Sequence, residues 1–190
     1  MFLNGNYNEN DLKDYGFKSI GKNVSISKSC TIVGQENIEI GDNVKIDSYC
    51  ILIATKGDIT IGSNVHVGAY TALFASKKII LSDFCGLSQG VRIYTASDDY
   101  SGNSLTNPTI PEKYKDVIKG NVILKKHVIV GANSVILPNV ILDEGVAIGA
   151  LSLVTKSLKE WNIYSGNPAR KVMIRSKKIL SLEKLYEEKL

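Results

Sequence analysis

Ile40-Gly-Asp-Asn-Val-Lys45 and Ile61-Gly-Ser-Asn-Val-His66 are two copies of one six-residue phrase that recurs from Ile20 to Val154. An aliphatic residue comes first, often followed by Gly, then two polar residues, a small apolar residue and a variable one. Ile20, Val130 and Ile148 open further clean copies, and looser ones start at Ile26, Ile46, Val67, Leu81, Leu87, Leu124, Ile136 and Leu142. Six residues are too few for a helical repeat and too regular for ordinary hairpins. The period is that of a parallel β-helix, in which each hexad makes one side of a triangular coil. Three hexads close a coil of about 18 residues, and coils stack at roughly the 4.8 Å spacing of paired strands.

Each position in the phrase then has a physical role. Position one (Ile40, Ile46, Ile61, Val67, Leu81, Leu87) points into the prism, and so does position five (Val24, Val44, Val65, Val91, Val140, Val146), where the interior is narrow. Positions two to four turn the corner, and the Gly and Asn found there are expected to supply positive φ at little cost. Cys30, Cys50 and Cys85 all occupy position five and read as small core residues rather than as a disulfide or a nucleophile.

Composition agrees with one ordinary globular domain. The chain has 190 residues, 44% of them hydrophobic and 22% charged, with a net charge of +4, which gives no reason to expect a nucleic-acid partner. The sequence shows neither an 18-residue apolar run nor a charged-then-apolar leader, so no membrane span is expected and the cytoplasm is the expected location.

The repeat is interrupted briefly at 34–38, 57–60 and 77–80, and at length after Ile93, resuming near Val122 or Leu124. The intervening segment carries adjacent acids (Asp98, Asp99), Tyr94, Tyr100, Tyr114 and two of the four prolines. A loop this long in a compact domain is usually functional, and the prolines predict an ordered arm. After the repeat, Trp161, Ile163 and an amphipathic stretch from Lys177 to Leu190 are expected to cover the last coil. Lys156, Arg170, Lys171 and Arg175 cluster beside it, as a solvated rim or as a phosphate site. The expected organisation is a capping segment over 1–19, a β-helix over 20–156 with the loop 95–121 projecting from it, and a C-terminal cap and helix over 157–190.

The order of these features is specific. A long loop leaves Tyr-Thr-Ala-Ser at 94–97, hexads resume with Val-Gly-Ala-Asn-Ser-Val at 130–135, and Thr155-Lys156 and Gly-Asn-Pro-Ala-Arg at 166–170 close the pattern. Nearly the whole chain beyond about residue 18 resembles the hexapeptide-repeat acetyltransferases, in particular the maltose and galactoside O-acetyltransferases and those of surface-polysaccharide synthesis. Parallel crossovers are normally right-handed, but the resemblance implies an all-β, left-handed parallel β-helix. It also implies a homotrimer with sites between neighbouring prisms and acetyl-CoA as co-substrate. Ala132, Ala150, Thr155, Lys156, Ala169, Arg170 and Arg175 would be the positions on the CoA side. Tyr94 and Tyr100 would offer faces and hydroxyls to a sugar.

One departure bears on the chemistry. The resembled enzymes carry a catalytic His where this chain has Asp98, in Val-Arg-Ile-Tyr-Thr-Ala-Ser-Asp-Asp. A carboxylate titrating at about pH 4 is a weak base toward an alcohol at neutral pH. The chain has two histidines. His127, between Lys126 and Val128, reads as a solvated turn residue. His66, at an outward position six, is expected to meet Asp98 or Asp99 on the loop of the next subunit and to serve as general base. The expected reaction is acetyl-CoA-dependent O-acetylation of a sugar hydroxyl. The alternatives are N-acetylation of a nucleotide-linked amino sugar, whose amine needs less help from a base, and a non-catalytic scaffold. A γ-type carbonic anhydrase would need three His for its metal, so no metal is expected. Ice binding would need flat Thr arrays, and a pyrophosphorylase would need a preceding nucleotidyltransferase domain.

Overall fold

The computed structural model describes residues 5–188. Three parallel sheets form the sides of a prism. The first face stacks, among others, Ser25–Ser27, Lys45–Ile46, His66–Val67, Gly86–Leu87, Ile129–Val130 and Ala147–Ile148. The second stacks Thr31–Val33, Ile51–Ile53, Ala72–Phe74, Arg92–Tyr94, Val135–Ile136 and Leu153–Val154. The third stacks Ser19–Ile20, Ile38–Ile40, Ile59–Ile61, Ile79–Leu81, Val122–Leu124 and Val140–Leu142. Registers align hexad with hexad: Ile40 pairs with Ile61, Ile61 with Leu81, and Leu81 with Leu124. The long loop therefore leaves and rejoins the prism without shifting a single rung.

The core is the column of inward residues. Leu52, Leu73, Ile93 and Ile136 at position one are buried, as are Val24, Val44, Val65, Val91, Val140 and Val146 at position five. Burying a residue of this size stabilises by about 1.5–3 kcal/mol, and the β-helix repeats that gain at every rung. The cysteines are free; Cys50 and Cys85 are buried, and burial pushes the Cys85 thiol up to about 12.

The corners differ from the expectation in one respect. At the uninterrupted corners positive φ falls on position four: Asn23, Asn43, Asn64, Asn133 and Asn139, but also Tyr49, Tyr70, Phe84, His127, Leu151 and Trp161. The glycines at position two have ordinary φ and are required for another reason. A Cβ on Gly131 would stand 2.4 Å from Ala150 N, so bare backbone is what lets neighbouring coils stack.

Asn6–Asn8 pairs antiparallel with Ser25–Ser27 at the N-terminal end. Helix Glu9–Leu12 follows, started by an Asn8–Asp11 capping box and burying Leu12. At the other end Arg170–Ile174 pairs antiparallel with Asn162–Ser165. The final helix, Ile179–Glu187, does not cross the last coil as expected. It turns back along the corner between the third and first faces, where Tyr186 Oη donates to Asn64 Oδ1 at 3.2 Å and Tyr186 meets Phe84 edge-on. No helix among the described residues is long and apolar enough to cross a membrane.

Candidate active site

The loop 95–121 is an ordered arm. Ala96–Ser97 and Ile118–Lys119 pair antiparallel at its base, and Leu105 N–H donates to Tyr114 C=O at 2.9 Å. Its two acids hold it together. The Asp99 carboxylate accepts from Ser101 N–H at 2.8 Å, Ser104 N–H at 3.0 Å and Asn103 N–H at 3.1 Å. The bonds from Ser101 come first among the causes that hold its carboxyl down to about 2. Asp98, half-buried, accepts from Asn107 N–H at 3.2 Å. It lines a cavity at the loop base with Ser76, Lys56, Lys115, Lys119 and Glu112. Lys115, with Lys119 and Lys56 behind it, holds the Glu112 carboxyl below its ordinary range.

His66 stands elsewhere. It lies exposed on the first face, with Nε2 2.7 Å from Asp47 Oδ2 of the coil below. Asp98 follows the second face, so one subunit does not bring His66 and the loop acids together. Asp47 was legible in register, because Asp47 and His66 occupy diagonal outward positions on adjacent coils, but its hexad carries no other mark of function.

His127 is a correction. It is 6% exposed, with Nε2 2.8 Å from Glu183 Oε2 and its ring stacked on Phe84. The final helix shields this corner, which the sequence around His127 does not reveal. Burial alone would raise the Glu183 carboxyl; Lys126 and His127 outweigh it and hold the group below its ordinary value.

The residues expected on the CoA side divide into two groups. Ala132 and Ala150 stack one coil apart at the corner between the first and second faces, and Ala169 N–H donates to Leu153 C=O at 2.8 Å just beyond. Arg170 is exposed at this rim, while Thr155 and Lys156 are exposed at the next corner. Arg175 is used internally: Nη1 donates to His127 C=O at 2.7 Å and Gly145 C=O at 3.1 Å, fastening the C-terminal strand to the coils. Tyr94 stacks on Phe74 with centroids 5.1 Å apart, and Tyr100 is almost fully exposed on the arm.

No family model matches the chain. It is 42% identical over 179 residues to the dTDP-4-amino-4,6-dideoxy-D-glucose acyltransferase of Escherichia coli, covering 94% of this chain and 93% of that one.

The chain belongs to the hexapeptide-repeat acyltransferases.

This acyltransferase also superposes on AntD, an N-acyltransferase from Bacillus cereus, in complex with dTDP and coenzyme A. The TM-score is 0.96 and the identity 48%, over the full length of both chains. A maltose O-acetyltransferase from Clostridium difficile 630, at 21% identity and a TM-score of 0.60, shares the fold over 89% of this chain and 75% of its own. The acyltransferase thus keeps the prism of the sugar O-acetyltransferases but lies much nearer in sequence to enzymes named for amino sugars.

Proposed function

We propose that this acyltransferase transfers an acyl group from a CoA thioester to the amine of a dTDP-linked amino sugar, forming an amide and releasing CoA as a thiol. The observation that carries this reading is the likeness over the full chain to AntD, which has been crystallised with dTDP-4-amino-4,6-dideoxyglucose and coenzyme A. The site geometry supports it. With Asp98 where the O-acetyltransferases have a histidine, and with His66 and His127 held by Asp47 and Glu183, the loop presents a carboxylate rather than an imidazole. An alcohol needs a base as it attacks, whereas a neutral amine attacks with its own lone pair. The amine acceptor therefore replaces the hydroxyl expected from the sequence.

In this mechanism the amine adds to the thioester carbonyl and its nitrogen becomes an acidic ammonium in the tetrahedral intermediate. A carboxylate can take that proton, and Asp98 is the residue we assign to it. The C–S bond then breaks and the thiolate receives the proton. AntD has been studied in variants of one serine and of one aspartate ten residues apart. Ser88 and Asp98 have that spacing here. Ser88 follows the first face and Asp98 the second, so a site that uses both is assembled from two copies. Ile51, Val135 and Leu153, apolar and outward on the second face, suit such a contact, as expected for the trimer.

A CoA-release assay with dTDP-4-amino-4,6-dideoxyglucose and with maltose tests the reading. The amino sugar should turn over and give a product stable to alkaline hydroxylamine, as an amide is and an ester is not. A hydroxylamine-labile product, or turnover with maltose alone, would restore O-acylation.

A further inference from the structure

Position four is left-handed at most corners on either side of the first face, a backbone that bulky side chains adopt only at a cost. Where aromatic residues accept that cost at the corner between the third and first faces, the chain covers them. Phe84 and His127 stack at 5.2 Å, Trp161 follows at 6.3 Å, and the final helix lies over them through Tyr186 and Glu183. At the corner between the first and second faces the same arrangement recurs uncovered. Tyr49 and Tyr70, with φ of 60° and 61°, stack with centroids 5.2 Å apart and planes 15° from parallel. They are 53% and 60% exposed. The next position-four residue above Tyr70 is Gly90, so no side chain continues the ladder.

We propose that Tyr49 and Tyr70 form the stacking platform for the pyrimidine base of the nucleotide-linked acceptor. The proposal rests on the amino-sugar reading above and adds to it the residues that select the nucleotide. The groups along one edge of the prism follow one another in a fixed order. Ala150, Ala132, Ser88, Tyr70 and Tyr49 occupy the same corner in successive coils from the C-terminal end toward the N-terminal end. With CoA along the upper coils and the reacting atoms at the level of Ser88, the nucleotide has only the lower coils to follow. The two tyrosines lie one and two coils below Ser88, about 5–10 Å at the spacing of paired strands, within the span of a sugar diphosphate. Flat, exposed, pre-stacked rings suit a base, since every base offers a π-face.

The repeat supplies a variant that should fold. Asparagine fills position four at Asn43, Asn64 and Asn133, so Tyr70→Asn and Tyr49→Asn keep a side chain the corner already accepts. By titration calorimetry, Tyr70→Asn should weaken dTDP binding about 5- to 150-fold, the range for loss of one base–aromatic stack, while CoA affinity stays unchanged. Tyr70→Phe should retain dTDP affinity. Sedimentation should show the oligomer of the wild type. If dTDP affinity is unchanged in both Asn variants while the wild type binds dTDP and acylates the amino sugar, the platform is wrong and the amino-sugar reading stands. If the Asn variants dissociate into monomers, the pair is a subunit contact and the proposal fails. If the wild type binds no dTDP, both fail together.

Discussion

His66 Nε2 and Asp47 Oδ2 lie 2.7 Å apart, diagonal to one another on adjacent coils of the first face. Lys45 Nζ approaches the other oxygen of Asp47 at 3.3 Å. Burial alone would raise the Asp47 carboxyl, but His66 and Lys45 together hold it below its ordinary value. The carboxylate that orients His66 is thus Asp47 of its own chain, and within one chain the loop acids Asp98 and Asp99 do not reach it.

The proposal therefore separates the two groups. His66→Ala should leave turnover well short of the about 10²–10⁴-fold loss that follows removal of a general base, and the Asp47 carboxyl should titrate higher by NMR. Because the folded value of Asp47 is depressed, its contribution to stability is full above the ordinary carboxylate range. It is lost as pH falls through the folded value. Asp98→Asn should lower kcat with CoA affinity intact. A fall of 10²-fold or more in His66→Ala, with Asp98→Asn near wild type, would return the base role to the histidine.

Asp99 should matter to the loop and not to the coils. Its depressed carboxyl, at about 2, accepts from three backbone amides. Its stabilisation is complete above the ordinary carboxylate range and disappears as pH falls through about 2. Asp99→Ala should speed hydrogen exchange at Ser101, Asn103 and Ser104 at neutral pH, with the exchange of Leu73 and Ile93 unchanged. Equal acceleration in both places would mean that the loop and the coils unfold together.

Gly131→Ala should destabilise the prism by steric conflict, since the added Cβ meets Ala150 N at 2.4 Å. Overpacking of this kind costs about 1–3 kcal/mol, which lowers Tm by roughly 2–12 °C in a chain of this size. Asn133→Gly, at a corner with φ of 56°, should change Tm far less. Calorimetric melts of the two variants decide whether stacking distance or backbone φ governs the corners.

Arg170 is exposed at the rim next to the Ala132–Ala150 corner. Arg170→Ala should weaken CoA binding, and the loss should shrink as salt rises and screens the phosphates. Arg175→Ala should instead lower Tm, because its guanidinium holds the carbonyls of His127 and Gly145. An unchanged CoA affinity in Arg170→Ala at low salt would remove Arg170 from the site.

Much of this protein was legible in one dimension, because a hexad repeat has only one way to bury its aliphatic residues. Ile40, Ile61, Leu81 and Leu124 carry the same mark in sequence and stack in the same column in space. The break after Ile93 was equally plain, and with it the loop and Asp98 at its root. What the sequence did not determine depends on contacts made across many coils. The final helix lies 122 residues from the Asn64 it touches, so no local pattern showed that it would bury His127 or leave Tyr49 and Tyr70 as the uncovered ladder. The partner of His66 likewise came from coil stacking, which sets a carboxylate 19 residues away within hydrogen-bonding distance. A periodic sequence specifies which residues face inward. Which outward residues meet, and which corner stays open, is decided by how the coils stack and where the ends of the chain fold back.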